Sequence, residues 1–235
     1  MSETAHVLLL PGLLNDARLF AAQRAVLAER AELRVVETDK ADSVEAIAAQ
    51  ALAQAPSSFA LVGFSMGGYV AFEMLRQAPD RIERLALIDT SARPDTPDLR
   101  RRREQMLAQV AIGQFRGVTN RLLPQLVHPS RLQDRPLIDV LQAMALAVGK
   151  DGFVRQQRAI LDRPDSRSLL AGIDVPTLVL CGAQDQLTPP ALSREIAQGV
   201  AGATLVEIAQ CGHVAPLERP EQVNASLLEW LAVKQ

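Results

Sequence analysis

Short runs of apolar residues recur along this chain and alternate with segments of helical periodicity. The runs are rich in valine, isoleucine and leucine, and such continuous hydrophobicity is typical of strands buried on both faces of a parallel sheet. The predicted strands are His6–Leu10, Leu33–Glu37, Phe59–Val62, Arg84–Asp89, Thr177–Cys181 and Thr204–Ile208. The predicted helices are Ala17–Arg30, Ser43–Gln54, Met66–Gln77, Pro190–Gly199 and Glu221–Ala232. This alternation predicts a doubly wound α/β sheet with its active site at the carboxyl ends of the strands.

One stretch interrupts the alternation. From about Pro94 to Ser168 the pattern is helical and irregular, and it carries many arginines from Arg100–Arg103 onward. Because the stretch falls between two predicted strands, we predict a helical cap, residues 94–168, inserted over a core formed by residues 1–93 and 169–235. The alternative is a string of peripheral helices that cover nothing.

Composition limits the function classes that need to be considered. The 235 residues fit one domain with an insertion, and the net charge of −2 supplies no basic field for nucleic acid or an anionic membrane. The two cysteines, Cys181 and Cys211, suggest neither a disulfide framework nor a metal site, and the three histidines lack zinc-binding spacing. The polar N-terminus and the absence of a membrane-length apolar run favour a cytoplasmic protein without a signal peptide.

A predicted turn between strand and helix carries the strongest chemical signal. Residues Gly63–Gly67 read G-F-S-M-G, with an apolar strand before them and a helical pattern after them. A serine on so sharp a turn has a strained backbone that needs small neighbours, and its hydroxyl projects above the sheet edge. A phosphate-binding loop would instead place Lys-Ser or Lys-Thr after its glycines. We therefore predict Ser65 as a nucleophile rather than part of a phosphate loop or a plain turn.

A serine nucleophile needs a base and an orienting carboxylate. In hydrolases with this turn the chain order is serine, then aspartate or glutamate, then histidine. His213 follows the last predicted strand, whereas His6 opens the first strand and His128 lies in the predicted cap. Asp185 follows the strand Thr177–Cys181 and is the favoured acid, with Asp89 as the competing candidate.

Two backbone N–H groups are candidates for an oxyanion hole. Met66 directly follows the nucleophile at the start of a predicted helix, where the helix end favours negative charge. The second donor should come from the loop after the first strand, Leu10–Asn15, where Gly12 permits a turn and Leu13 is the best candidate. A backbone donor leaves the side chain at that position free to shape a pocket.

Four segments together resemble a known family: Leu10–Leu13, Gly63–Gly68, Gly182–Asp185 and Gly212–Glu218. From about Val7 to Leu231 the chain resembles α/β hydrolases of the group that includes small carboxylesterases, pimeloyl-ester esterases and 3-oxoadipate enol-lactonases. The resemblance implies a mostly parallel sheet with helices on both faces, a lid of helices, and acyl transfer to water without a cofactor or metal. It also implies the catalytic triad of Ser65, Asp185 and His213.

The chain departs from the family pattern at two places. Pro11 stands where the family usually has histidine before the glycine of the oxyanion loop. The first predicted strand begins near residue 6, whereas many members start with an additional hairpin, so we expect a sheet of about six strands. The serine nucleophile also argues against haloalkane dehalogenases and epoxide hydrolases, which have aspartate there.

The expected reaction is cleavage of a small-molecule ester, thioester or lactone through an acyl-enzyme. Loop residues near the triad are expected to line an apolar acyl or alcohol pocket: Leu13, Leu14, Met66, Leu187 and Val214. Cap residues that would close the pocket, or else form only the core of the cap, are Phe115, Val127, Met144 and Phe153. The alternatives are carbon–carbon bond hydrolysis or perhydrolysis by the same triad, and a non-catalytic binding protein of the same fold.

The arginines of the predicted cap suggest a further hypothesis. The run Arg100–Arg103 could attract a substrate that carries a free carboxylate. The competing interpretation is a solvated helix face, which is the usual role of a charge run.

Overall fold

The computed structural model describes residues 5–113 and 115–233. Six strands form one parallel sheet in the order β2-β1-β3-β4-β5-β6. Their bounds are β1 Ala5–Leu10, β2 Ala31–Val35, β3 Phe59–Phe64, β4 Ile82–Ile88, β5 Thr177–Gly182 and β6 Thr204–Ile208. Each predicted strand corresponds to one of these strands. The predicted six-stranded α/β sheet is confirmed.

Helices lie on both faces of the sheet. Their bounds are α1 Ala21–Leu27, α2 Val44–Ala53, α3 Met66–Gln77, α4 Pro97–Ala111, α5 Leu123–Leu126, α6 Arg135–Leu161, α7 Pro190–Gly199, α8 Ala215–Glu218 and α9 Pro220–Ala232. One face packs against α2, α3 and α7, and the other against α1 and α9. This two-sided cover explains why β3 is buried along its whole length and reads as a continuous apolar run.

Several element boundaries differ by a few residues from the sequence prediction, among them those of the first helix and of β2. The predicted helix Ala17–Arg30 is a 3₁₀ turn over Ala17–Phe20, capped by Asp16, followed by α1, which ends at Leu27. The edge strand β2 begins at Ala31, two residues before the predicted start, because its register is set by pairing with β1. Its exposed side chains alternate with buried ones, so its apolar pattern alone placed the strand too late.

The segment between β4 and β5 contains α4, α5 and α6; we call it the helical insertion. Gly149 has φ 70° and ψ −176° inside α6 and therefore kinks this long helix. A small apolar cluster joins the insertion to the loop after β1 through Leu14, Val110, Ala145 and Phe153. The insertion thus packs against the carboxyl edge of the sheet at β1.

Within residues 5–113 and 115–233, no helix combines the length and the apolar character that a membrane span needs.

Candidate active site

Ser65 sits on the turn between β3 and α3 in a strained conformation. Its φ of 50° and ψ of −114° lie outside the regions that an L-residue ordinarily adopts. Hydrogen bonds hold both of its peptide groups: its N–H donates to Ile88 O at 2.9 Å, and its C=O accepts from Thr90 Oγ1 at 2.7 Å. The next strand therefore fixes the backbone of Ser65 and keeps the turn sharp.

The glycines around Ser65 are required by close packing. A Cβ at Gly67 would lie 1.9 Å from the carbonyl oxygen of Leu10, and a Cβ at Gly63 would lie 2.8 Å from Gly67 O. Both contacts are with backbone atoms, which cannot rotate away. The G-x-S-x-G pattern is thus a steric consequence of packing α3 directly against β1 and β3.

The structure brings the three predicted triad residues together. His213 Nε2 lies 3.0 Å from Ser65 Oγ, and His213 Nδ1 lies 2.8 Å from Asp185 Oδ2. His213 and Asp185 are buried, whereas Ser65 is half-buried. The Phe64 ring lies 5.3 Å from the imidazole ring, centroid to centroid. The hydroxyl, imidazole and carboxylate therefore form one continuous hydrogen-bonded line from the exposed end inward.

Asp185 is held by its own loop. Its Oδ1 accepts from the N–H groups of Leu187 and Thr188 at 2.8 and 3.0 Å, and its Oδ2 accepts from Thr188 Oγ1 at 2.6 Å. Burial alone would raise the pKa of Asp185, but His213 and the Thr188 hydrogen bonds outweigh it and leave the pKa below its ordinary value. The carboxylate is thus kept ionised beside the imidazole.

Asp89, the competing acid, has a different set of partners. It follows β4 with φ 46° and is fully buried. Its carboxylate accepts from Gly182 N at 2.8 Å and from Ala215 N at 3.2 Å. Asp89 therefore links the end of β5, which leads to Asp185, with the segment that follows His213. Burial, and then the charge of Asp185, raises the pKa of Asp89 well above its ordinary value.

The loop that carries His213 is fastened to the helical insertion. His213 N donates to Leu126 O at 2.9 Å. The buried carboxylate of Glu218 accepts from Gly212 N at 2.8 Å and from His128 N at 2.7 Å. Burial raises the pKa of Glu218. The histidine loop and the segment around His128 therefore share one buried carboxylate.

The loop after β1 forms a tight turn beneath the insertion. Asn15 N donates to Gly12 O at 3.2 Å, and Leu14 has φ 60°. Leu13, the predicted oxyanion donor, is half-buried, and the N–H of Leu14 already donates to Gln156 Oε1 at 2.9 Å. Met66, the other predicted donor, is the first residue of α3.

The predicted pocket residues fall into four groups. Leu14 and Phe153 belong to the small apolar cluster, with Leu13 and Phe115 packed against it. Val127, Met144 and Val214 are almost fully buried in the larger cluster against the sheet, and Met66 is fully buried in the cluster on the other face. Leu187 is 43% exposed on the loop of Asp185. The first group is the one that continues from the loop after β1 into the insertion.

Three arginines of the run Arg100–Arg103 form ion pairs with nearby carboxylates. Arg103 Nε lies 2.7 Å from the buried Asp95 Oδ2, Arg100 Nε lies 3.2 Å from Glu104 Oε1, and Arg101 pairs with Asp98. Arg102 is exposed. These pairings fit a solvated helix face better than a site for a substrate carboxylate.

Both cysteine thiols are buried. Burial is the main cause that raises the pKa of Cys181 to about 12, and it also raises the pKa of Cys211. A protonated thiol is a poor nucleophile, so neither cysteine is a candidate nucleophile.

Three polar residues of the site were missed by sequence reasoning. Thr188 could have been found, because a hydroxyl residue three positions after an aspartate often bonds within the same turn. Gln156 gave no local signal, and Glu218 stood out only as the last residue of the family segment Gly212–Glu218. Gln156 binds Leu14, which lies 142 residues away in the chain, and Glu218 binds the nearby Gly212 as well as His128, which lies 90 residues away.

Comparison with known proteins then decides the family. The sequence model described as the alpha/beta hydrolase fold matches residues 37–220. This chain is an α/β hydrolase. An enzyme of this class was expected from the sequence, and that expectation is confirmed.

Individual α/β hydrolases resemble the chain over most of its length. The pimeloyl-[acyl-carrier protein] methyl ester esterase of Chromobacterium violaceum is 28% identical over 193 residues, which cover 80% of this chain and 75% of that protein. The structure of a thermophilic esterase from Thermogutta terrifontis has a TM-score of 0.86 and 30% identity, covering 97% of this chain and 89% of the esterase. The enol-lactonase of Burkholderia xenovorans shares the fold at 24% identity, with a TM-score of 0.89 and coverage of 99% and 93%.

Proposed function

We propose that this α/β hydrolase cleaves carboxylic ester, thioester or lactone bonds of small molecules through an acyl-enzyme on Ser65. The observation that carries the proposal is the hydrogen-bonded line from Ser65 Oγ through His213 to Asp185, with distances of 3.0 and 2.8 Å. These distances lie within the reach that proton transfer requires. The similarity to two esterases supports ester bonds as the substrate class.

The reaction proceeds in two halves. His213 Nε2 takes the hydroxyl proton while Ser65 Oγ attacks the carbonyl carbon, and the ionised Asp185 stabilises the resulting imidazolium. The imidazolium then protonates the leaving group, so that an alcohol or a thiol departs; from a lactone the new hydroxyl stays attached to the acyl group on Ser65. In the second half His213 removes a proton from water, whose oxygen attacks the acyl carbon. The imidazolium then returns that proton to Ser65 Oγ as the acyl–oxygen bond breaks, which releases the acid and restores free Ser65 and neutral His213.

The backbone N–H groups of Met66 and Leu13 are proposed to bind the oxyanion. Met66 N opens α3, where backbone N–H groups lack partners within the helix and the helix dipole is positive. One well-aimed donor typically lowers the barrier by about 3 kcal/mol. The apolar side chains of Leu14 in this loop and of Phe115 and Phe153 in the insertion favour an uncharged acyl or alcohol group over a charged one.

The first test is hydrolysis of p-nitrophenyl esters from acetate to decanoate by the wild type and by Ser65→Ala. Ser226→Ala is the matched control, because Ser226 Oγ donates to Gln222 O within helix α9, outside the proposed triad. We expect the Ser65 variant to lose at least about 10³-fold in kcat and the Ser226 variant to keep wild-type activity.

A fluorophosphonate probe provides the second readout. Covalent labelling of the wild type at Ser65, absent in Ser65→Ala, is expected. Full ester hydrolysis by the Ser65 variant would refute the proposal. A wild type that neither hydrolyses the esters nor reacts with the probe would refute it as well.

A further inference from the structure

Gln156 lies on α6 of the helical insertion and is fully buried against the loop after β1. Its Oε1 accepts the N–H of Leu14 at 2.9 Å, and its Nε2 donates to Thr38 Oγ1 at 3.3 Å. Because Leu14 N–H can only donate, the oxygen of the amide must face it, and Thr38 occupies the nitrogen end. The amide therefore has one defined orientation.

The peptide that Gln156 binds is in a conformation that its sequence disfavours. Residues Gly12–Asn15 form a hydrogen-bonded turn in which Leu14, the third residue, has φ 60° while Leu13 does not have a positive φ. This is type II geometry, which strongly favours glycine at the third position. Leucine pays a steric penalty there, and rotation of the Leu13–Leu14 peptide into a type I turn would relieve it.

Gln156 opposes that rotation. In a type I turn the N–H of Leu14 would point away from Oε1, and a buried polar pair would be broken. The buried Phe153, three residues earlier on the same face of α6, packs against Leu14 and covers the loop. Leu13 N–H belongs to the preceding peptide, Gly12–Leu13. Thr38 Oγ1, which accepts from Gln156 Nε2, donates to Pro11 O at 3.4 Å, so the contacts of Gln156 reach both ends of the segment that contains this peptide.

We propose that Gln156 is a positioning residue for the oxyanion hole: from the insertion it fixes both ends of the Pro11–Leu14 segment, and so keeps the Leu13 N–H between them aimed at the reacting oxygen. The proposal rests on the proposed function, because it assigns Leu13 N–H to the oxyanion. It also gives the insertion a part in the chemistry besides covering substrate, since the insertion supplies the acceptor that orients a loop of the core.

The test compares Gln156→Leu with Gln157→Leu. Gln157 is the next residue of α6 and equally buried, but its Oε1 accepts from Arg103 Nη1 at 2.9 Å, away from the loop. Gln156→Leu should lower kcat for a p-nitrophenyl ester by about 10- to 100-fold with little change in KM, because one donor is misaimed in the transition state. Gln157→Leu should change kcat by less than about threefold at a similar thermal midpoint.

Two further measurements distinguish positioning from loss of packing. The Ki of a trifluoromethyl ketone, whose hydrated or serine-bound oxygen occupies the oxyanion hole, should rise in Gln156→Leu by about the factor that kcat falls. Gln156→Glu should recover much of kcat, because either protonation state retains an oxygen that accepts from Leu14 N–H. The Glu variant also serves if the leucine variant does not fold.

Failure of the proposed role of Gln156 can be distinguished from failure of the proposed function. Three results would overturn the role of Gln156: an equal loss of kcat in Gln156→Leu and Gln157→Leu, an effect of Gln156→Leu on KM alone, or an unchanged Ki of the ketone. In each case an active wild type would leave the proposal of a serine hydrolase standing. A wild type without hydrolysis and without phosphonate labelling would refute the proposed function, and this inference with it.

Discussion

Asp89 and Asp185 follow neighbouring parallel strands, but only Asp185 contacts the imidazole of His213, at 2.8 Å. Asp89 lies beneath it and accepts backbone N–H groups of Gly182 and Ala215. Two carboxylates at one sheet edge thus have separate tasks: one orients a ring, and the other ties together the two loops that bear the ring and its partner.

This division predicts different kinetic costs for the two aspartates. Asp185→Asn should lower kcat by about 10⁴-fold, because the amide no longer holds the imidazole in the required tautomer. Asp89→Asn leaves the contact between Asp185 and His213 in place and should cost far less. Steady-state ester hydrolysis by both variants is the measurement. A larger loss in Asp89→Asn would show that the acid has been misassigned.

The opposite pKa shifts of Asp89 and Asp185 predict opposite pH dependences of stability. The raised pKa of Asp89 means that the folded protein holds this proton more tightly than the unfolded chain, so the stability it contributes is lost as pH rises toward the folded-state pKa. The lowered pKa of Asp185 has the reverse consequence, since its contribution is lost as pH falls toward the folded-state pKa.

Urea unfolding from about pH 2 to about pH 8 checks this prediction. The stability advantage of the wild type over Asp89→Asn should shrink as pH rises above the ordinary aspartate pKa, whereas its advantage over Asp185→Asn should grow as pH rises toward that value and then level off. Parallel curves for the two variants would contradict the assigned pKa directions.

Glu218 is expected to stabilise the loop of His213. Glu218→Gln leaves one oxygen for the two N–H groups of Gly212 and His128, and the amide nitrogen then faces a donor. We expect a loss of about 1–3 kcal/mol in unfolding free energy, together with a lower kcat. The exposed Glu221→Gln on α9 is the control and should change stability by less than about 0.5 kcal/mol. Equal stability of the two variants would argue against the shared carboxylate.

Alanine substitutions of Phe153 and Met144 should show which of the two apolar clusters borders the substrate. Phe153 packs on Leu14 beside the proposed oxyanion loop, with Phe115 5.6 Å away ring to ring, whereas Met144 is buried in the core cluster. Both alanine variants should lose about 2–5 kcal/mol of stability. Only Phe153→Ala should shift the preferred p-nitrophenyl ester toward longer acyl chains. A shift in Met144→Ala instead would place the pocket on the other side of α6.

The glycine of the nucleophile turn should not tolerate a side chain. Gly67→Ala places a Cβ 1.9 Å from Leu10 O, so we expect destabilisation by more than about 3 kcal/mol or failure to fold. Gly172→Ala is the matched control, because nothing lies within 4 Å of its added Cβ. That variant should match or slightly exceed the stability of the wild type, as measured by thermal unfolding. A folded, stable Gly67→Ala protein would contradict the close approach of α3 to β1.

The sequence by itself determined the features that depend on neighbouring residues. Apolar runs located all six strands, and they were most continuous in the inner strands β3 and β5, whose residues are all buried. The glycines around Ser65 revealed the sharp turn between β3 and α3, because a tight turn excludes side chains locally. Chain order then pointed to His213 and favoured Asp185, although Asp89 could not be set aside without knowing which loop reaches the ring.

Tertiary structure alone decided the contacts that join distant parts of the chain. Ala31 rather than Leu33 begins β2 because pairing with β1 sets the register of an edge strand. The helical insertion brings Gln156 onto Leu14 and His128 onto Glu218, and each pair is separated by more than eighty residues. A buried polar side chain is specified by the partner that satisfies it, and no local periodicity encodes that partner.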